Sequence, residues 1–172
     1  MKILVLGIGN ILLTDEGIGV RVVERLRELY MIPDSIDIMD GGTAGMELSG
    51  DLANREQVIL IDAVKTGAPA GTVVELYDEQ VPNLFRTHIS PHQLGISDVL
   101  GILRITGELP KHFTLFGAVP YSIDTSTELS VEFHPIMDDI VQRVVTRLAQ
   151  LGVNLTRHLQ PITSDNPTRM AS

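Results

Sequence analysis

Four acidic residues and one histidine follow apolar runs, at points where the chain passes into a loop or a helix. Asp15 and Glu16 follow KILVLG, Asp40 ends SIDIMD, Asp62 follows VILI, and His92 lies in SPHQLG. In a parallel sheet, the carboxyl ends of the strands share one edge, and ligands bind there near the switch point in strand order. We therefore expect these side chains to converge on one edge of a sheet.

We predict that one carboxylate of the Asp15–Glu16 pair, the carboxylate of Asp62 and the imidazole of His92 form a metal site. The run SPHQ has the residues of a capping box, which places His92 in a first helical turn, where the helix dipole favours the neutral imidazole that binds metals. Two carboxylates and one imidazole leave coordination positions open, as expected of a metal that also meets a substrate. These ligands do not select the ion, because Zn, Ni, Mn and Co are all compatible with them.

The first loop, GIGNILLTDEGIGV, permits two other interpretations. Gly7 and Gly9 match the dinucleotide fingerprint, but Leu12 stands where its third glycine belongs. Asp15 and Glu16 would repel a pyrophosphate at the helix start, so a nucleotide-binding oxidoreductase remains only an alternative. The acidic pair could also simply cap the following helix.

The elements that must position these residues alternate between strand and helix. The apolar patterns predict an α/β fold, a three-layer sandwich with a largely parallel sheet of about five strands and helices on both faces. We predict a single domain over residues 1–154 and a loosely ordered polar tail over 155–172. The predicted strands cover residues 2–7, 35–40, 57–64, 71–77 and 112–120, and the predicted helices begin near 16, 44, 94 and 130.

Composition excludes several classes of function. The net charge of -9 disfavours a sequence-independent nucleic-acid binder. No apolar run reaches the roughly 20 residues of a membrane span, so we expect no membrane insertion. The chain has no cysteine, which removes thiol nucleophiles and thiolate metal sites and fits a cytoplasmic location. We expect a cytoplasmic monomer.

Four motifs, in their order and spacing, resemble the hydrogenase maturation endopeptidases over about residues 1–150: GIGNILLTDEGIGV, DGGTAGMEL, VILIDAV and SPHQLG. The resemblance implies an endopeptidase that removes a C-terminal extension from the large subunit precursor of [NiFe] hydrogenase after nickel insertion. It also implies that Glu16, Asp62 and His92 are the catalytic, nickel-contacting residues. Asp40, Gly41 and Gly42 match a loop that would face the substrate peptide.

The source of the metal and the general base are separate expectations. Three ligands without a thiolate make a weak and open site, so we expect nickel to arrive with the precursor. Asp40 or Glu16 could accept the proton of the attacking water, and the sequence does not rank them. A nickel-binding checkpoint protein without proteolysis would carry the same ligands, and it remains an alternative.

Overall fold

The computed structural model describes residues 2–87 and 94–159 and contains one five-stranded sheet and a separate two-stranded ladder. The three central strands are short runs of mostly apolar, buried residues, whereas the outer strands carry polar residues and are only partly buried, as expected for sheet edges. The strands are β1 (Ile3–Ile8), β2 (Tyr30–Met31), β3 (Ile36–Gly42), β4 (Gln57–Ala63), β5 (Val73–Tyr77), β6 (His112–Ala118) and β7 (Thr156–Arg157), with β2 and β7 forming the ladder.

The sheet has the order β3-β1-β4-β6-β5, in which all neighbours are parallel except β5 and β6. The chain passes from β1 to β3 on one side and then to β4 on the other side of β1. The switch point in strand order therefore lies between β1 and β4. The predicted residue Glu16 follows the carboxyl end of β1, and Asp62 lies near the carboxyl end of β4.

Helices cover both faces of the sheet, as predicted. The alternation of side chains along β4 sends Ile59 and Ile61 into one apolar core and Val58 and Leu60 into the other. α1 and α5 pack on the first core, while α3 and α4 pack on the second. The helices are α1 (Ile18–Leu29), α2 (Ser49–Leu52), α3 (Gln80–Thr87), α4 (Leu94–Thr106) and α5 (Phe133–Gln150), with 3-10 turns at Thr14–Gly17 and Met46–Leu48.

The direction of β5 corrects one step of the sequence argument. We expected His92 to follow the carboxyl end of a parallel fourth strand, but β5 is antiparallel, and Tyr77 at its end pairs with Thr114 near the beginning of β6. The carboxyl end of β5 therefore lies at the opposite edge of the sheet. α3, which the sequence did not predict, follows β5. At Gly95, near the start of α4, the chain again lies beside the cavity at Asp62. His92 itself lies outside the described residues.

Part of the predicted polar tail belongs to the folded structure. Thr156 and Arg157 pair with Met31 and Tyr30, and the Arg157 guanidinium lies 5.3 Å from the centre of the Tyr30 ring. Residues 160–172 lie outside the described residues, and the domain boundary at 154 stays a prediction. Within the described parts of the chain, no helix has the length and apolar character needed to cross a membrane.

Candidate active site

Asp62 is a carboxylate at the end of a strand that is otherwise apolar. It is the sixth residue of β4 and pairs with Gly117 of β6. By alternation it lies on the same face as Val58 and Leu60, towards the layer of α3 and α4, and its side chain is buried. A buried carboxylate in this position costs free energy of folding unless polar groups or a cation compensate it, so its placement indicates a function.

A small cavity of about 30 Å³ lies beside Asp62 at the carboxyl edge of the sheet. Its walls come from the ends of three neighbouring strands and from the start of α4. A cavity of this size has room for about one water molecule. The lining residues are Ile8, Gly9, Gly42, Thr43, Ala44, Asp62, Gly95 and Ile96.

Glu16 lies in the 3-10 turn between β1 and α1, and its carboxylate is buried. The residue is only 6% exposed, and nothing within residues 2–87 and 94–159 donates a hydrogen bond to the carboxylate or pairs with it. Burial raises the pKa of Glu16 from 4.5 to about 7. The site therefore holds a carboxyl group that a bound cation would stabilise in its ionised form.

Asp15, the other member of the acidic pair, has a different environment. Its carboxylate accepts hydrogen bonds from the backbone N–H groups of Tyr121 (3.0 Å), Ser122 (3.1 Å) and Ser130 (2.9 Å) and from the Ser130 hydroxyl. Neither Asp15 nor Glu16 caps α1, whose first turn has no side-chain cap, so the capping interpretation is wrong. Asp15 instead fixes the loop that follows β6 against the loop that carries Glu16.

Two glycines hold the backbone of the Glu16 turn close to the sheet. A Cβ atom on Gly9 would overlap the carbonyl oxygen of Glu16, and a Cβ atom on Gly19 would overlap the carbonyl oxygens of Ile8 and Ile61. Gly9 also lines the cavity beside Asp62. The glycines of the first loop therefore allow close packing of the Glu16 turn against the strand ends rather than an approach to a phosphate.

The predicted peptide-facing loop begins at the end of β3. Asp40 is exposed, and its Oδ1 accepts a hydrogen bond of 2.8 Å from the backbone N–H of Gly42. Gly41 forms a bulge, because Gly7 pairs with Asp40 while Ile8 pairs with Gly42. The carbonyl of Gly42 accepts a bond of 2.8 Å from Gly9, so the loop is attached to the strand end that adjoins the cavity.

The predicted residues are thus partly assembled in the described structure. Glu16, Asp40 and Asp62 all follow or end parallel strands at the carboxyl edge, and the start of α4 lies at the same cavity. Within residues 2–87 and 94–159, no three His, Asp or Glu side chains are close enough to hold a metal ion. The predicted third ligand, His92, is outside this range, so the three-residue metal site stays a prediction.

Comparison with known proteins identifies the family. The HycI family model, described as hydrogenase maturation protease, matches residues 20–147. The chain belongs to the hydrogenase maturation protease family. The hydrogenase 2 maturation protease of Escherichia coli K12 is 52% identical over 155 residues, which cover 89% of this chain and 94% of that protein. Membership confirms the predicted function, proteolytic processing of the C-terminus of a hydrogenase large subunit.

Solved structures of family members confirm the fold. The hydrogenase maturating endopeptidase HybD from E. coli matches with a TM-score of 0.86 and 50% identity, over 92% of this chain and 98% of that chain. A hydrogenase 2 maturation peptidase from Thaumarchaeota archaeon SCGC_AB-539-E09 matches with a TM-score of 0.65 and 34% identity, over 88% and 99%. Both matches cover nearly all of the five-stranded domain that carries the candidate site.

Two features of this family member were not predicted from its sequence. The Asp15 network was missed because its donors lie 106 to 115 residues further along the chain. The contribution of Gly95 to the cavity wall was also missed, although SPHQLG ends on this glycine. A glycine directly after a candidate ligand motif is a signal that could have indicated a close backbone approach.

Proposed function

We propose that this protease removes the C-terminal extension of a nickel-loaded [NiFe] hydrogenase large subunit precursor, with Glu16, Asp62 and His92 contacting the nickel. The observation that carries this proposal is the buried Glu16 carboxylate beside the switch point between β1 and β4, which has no partner among residues 2–87 and 94–159. The neighbouring buried carboxylate of Asp15, by contrast, accepts four hydrogen bonds. A buried carboxylate that is left without a partner is suited to a ligand supplied by another molecule.

The chemistry of the residues fits a borderline divalent ion such as nickel. Carboxylate oxygens and an imidazole nitrogen are compatible with nickel, and the chain supplies no thiolate because it contains no cysteine. A cation bound beside Glu16 would offset the cost of burying that carboxylate in its ionised form. The open coordination positions would then be filled by the precursor, which brings the ion.

Different residues of this chain would bind the peptide and accept the proton during the reaction. The nickel would polarise the scissile carbonyl and lower the pKa of an attacking water. In the proposed peptide-facing loop of Asp40, Gly41 and Gly42, the exposed Asp40 and the cavity-lining Gly42 would contact an extended peptide, while the buried Gly41 shapes the loop behind them. Glu16 and Asp40 are both candidates for the group that accepts the water proton, since Glu16 has a raised pKa and Asp40 is exposed.

The test compares nickel-loaded and nickel-free precursor, each incubated with protease that has been freed of metal. We expect the loaded precursor to release its tail, seen as a peptide of the expected mass, without added metal and in the presence of a mild chelator. The nickel-free precursor should stay full length even at high protease concentration. Efficient cleavage of nickel-free precursor would show that nickel is not required, and binding without cleavage of loaded precursor would favour the checkpoint alternative.

We further propose that the protease acts as a cytoplasmic monomer. The absence of cysteine fits a reducing compartment, and the net charge of -9 disfavours self-association through charge repulsion. Sedimentation equilibrium at micromolar concentration should give the mass of one chain, and cell fractionation should recover the protein with the cytoplasm. A dimer mass would contradict the monomer.

A further inference from the structure

Two glycine backbones touch where the loop after β3 meets the start of α4. A Cβ atom on Gly95 would lie 3.1 Å from the Cα of Gly45 and 3.5 Å from the carbonyl oxygen of Ala44. A Cβ atom on Gly45 would lie 3.4 Å from the Cα of Gly95. An alanine at position 95 would therefore require a shift of a few tenths of an ångström, and one at position 45 would be nearly accommodated.

Both sides of this contact are fixed by other interactions. On the loop side, Gly42 is bonded to Gly9, and the N–H of Gly45 donates to the Glu47 carboxylate at 2.9 Å. On the helix side, Ile96, Val99 and Leu100 are buried in the apolar core between the sheet and α4. The loop and the helix therefore meet as two separately anchored bodies, and the glycines set how closely they approach.

The cavity beside Asp62 lies between these two bodies. Gly42, Thr43 and Ala44 line it from the loop, and Gly95 and Ile96 line it from the helix. We call the gap between the loop and the helix, at this cavity, the cleft. Its width therefore depends on the distance between Gly45 and Gly95. The turn that carries Glu16 packs against the strand ends through other contacts, those of Gly9 with the Glu16 carbonyl and of Gly19 with the Ile8 and Ile61 carbonyls, and none of these involves Gly95.

We infer that Gly45 and Gly95 are positioning residues of the protease, whose backbone contact sets the width of the cleft that receives the precursor chain. The inference rests on the proposed function, since it takes the cleft beside Asp62 as the place where the precursor binds. Widening the cleft weakens the binding of the precursor, while the Glu16 turn keeps its own contacts to the sheet. We therefore expect substitutions at this contact to raise KM and the Kd for the precursor, with little change in kcat.

The experiment is a graded alanine series with a control in the same helix. Gly95→Ala, Gly45→Ala and the double variant are compared with Gly101→Ala, because Gly101 is exposed on α4 and has no atom within 4 Å of an added Cβ. Cleavage of nickel-loaded precursor gives KM and kcat, and thermal melting gives the stability. We expect KM to rise about tenfold in Gly95→Ala, less in Gly45→Ala and not in Gly101→Ala, with kcat within about twofold throughout.

The double variant provides a second criterion. Because its two methyl groups would meet each other, its KM should rise by more than the product of the two single effects. A folded Gly95→Ala protein with wild-type KM, or an equal rise in Gly101→Ala, overturns the inference. If Gly95→Ala does not fold, Gly45→Val decides, because its larger side chain must push against the backbone of Gly95, and an unchanged KM in that folded variant overturns the inference.

Precursor binding separates this inference from the proposed function. The same glycine variants are prepared with Asp62→Asn, and Kd for nickel-loaded precursor is measured without cleavage. A graded loss of affinity supports the positioning contact even if the nickel requirement fails. Equal Kd values in all variants overturn the contact even if cleavage and its nickel requirement are confirmed.

Discussion

Asp15 and Glu16 are adjacent in the chain, yet their carboxylates have opposite environments. Asp15 accepts four hydrogen bonds from three residues of the loop after β6, whereas Glu16 accepts none within residues 2–87 and 94–159. Both side chains are buried. The first carboxylate is thus part of the folded framework, and the second is available for a ligand at a cost in stability.

That cost should be visible as a pH dependence of stability. The pKa of Glu16 is raised from 4.5 to about 7, so the folded protein holds this proton more tightly than the unfolded chain does. Stability is therefore unaffected well below pH 4.5, falls as the pH rises towards 7 and then levels off. At about 1.4 kcal/mol per pKa unit, the loss amounts to roughly 3 kcal/mol.

Glu16→Gln removes the ionisation and keeps the shape of the side chain. We expect this variant to melt at the same temperature as the wild type near pH 4 and at a higher temperature at pH 8, in metal-free buffer. Glu28→Gln is the control, because Glu28 is exposed on α1 in a surface ion pair with Arg25 that contributes little. Equal melting temperatures of Glu16→Gln and wild type at pH 8 would contradict the cost assigned to Glu16.

Asp15→Asn should have the opposite effect on stability. An amide can replace only one of the two acceptor oxygens and points an NH₂ group at N–H donors, so we expect a loss of about 2–4 kcal/mol in the free energy of unfolding. Urea unfolding monitored by circular dichroism measures this loss. Asp34→Asn, at an exposed turn, should change the free energy by less than about 0.5 kcal/mol. If both variants have the same stability, the Asp15 network does not hold the loop.

Asp62→Asn and His92→Ala should each abolish processing of nickel-loaded precursor while leaving the melting temperature close to that of the wild type. The reason is that both residues are predicted to act as ligands rather than as members of the two apolar cores. His112→Ala serves as the control, because His112 is exposed at the beginning of β6, on the opposite edge. Normal processing by Asp62→Asn and His92→Ala would place the reaction elsewhere.

The positions of the strands could be predicted from sequence because buried strands are continuous apolar runs between turn residues. The same pattern carries no information about direction, so nothing in GTVVELY distinguishes the antiparallel β5 from a parallel strand. The eight-residue α3 was missed for a related reason. It is too short to show a clear helical periodicity, and Pro82 is compatible with a helix only because the helix begins two residues before it, which the sequence does not reveal.

The candidate site could be predicted to the extent that it depends on strand ends. Glu16, Asp40 and Asp62 were found because each follows or ends an apolar run, and parallel strands bring those ends to one edge. The difference between Asp15 and Glu16 could not be predicted, because it depends on donors more than 100 residues away. The Gly45–Gly95 contact is likewise a tertiary feature, since it joins residues from two separate connections of the sheet.

The role of Asp40 can be decided by two substitutions that differ in hydrogen bonding. Its Oδ1 accepts the N–H of Gly42, and an asparagine can keep that bond through its amide oxygen, whereas an alanine cannot. If Asp40 acts by shaping the loop, Asp40→Asn keeps kcat and KM within about threefold of wild type, and Asp40→Ala raises KM several-fold. We expect this outcome because the bond to Gly42 ties Asp40 to the loop that borders the cavity. A large loss of kcat in both variants, with KM unchanged, would instead make Asp40 the general base, and Glu16 would then remain a nickel contact alone.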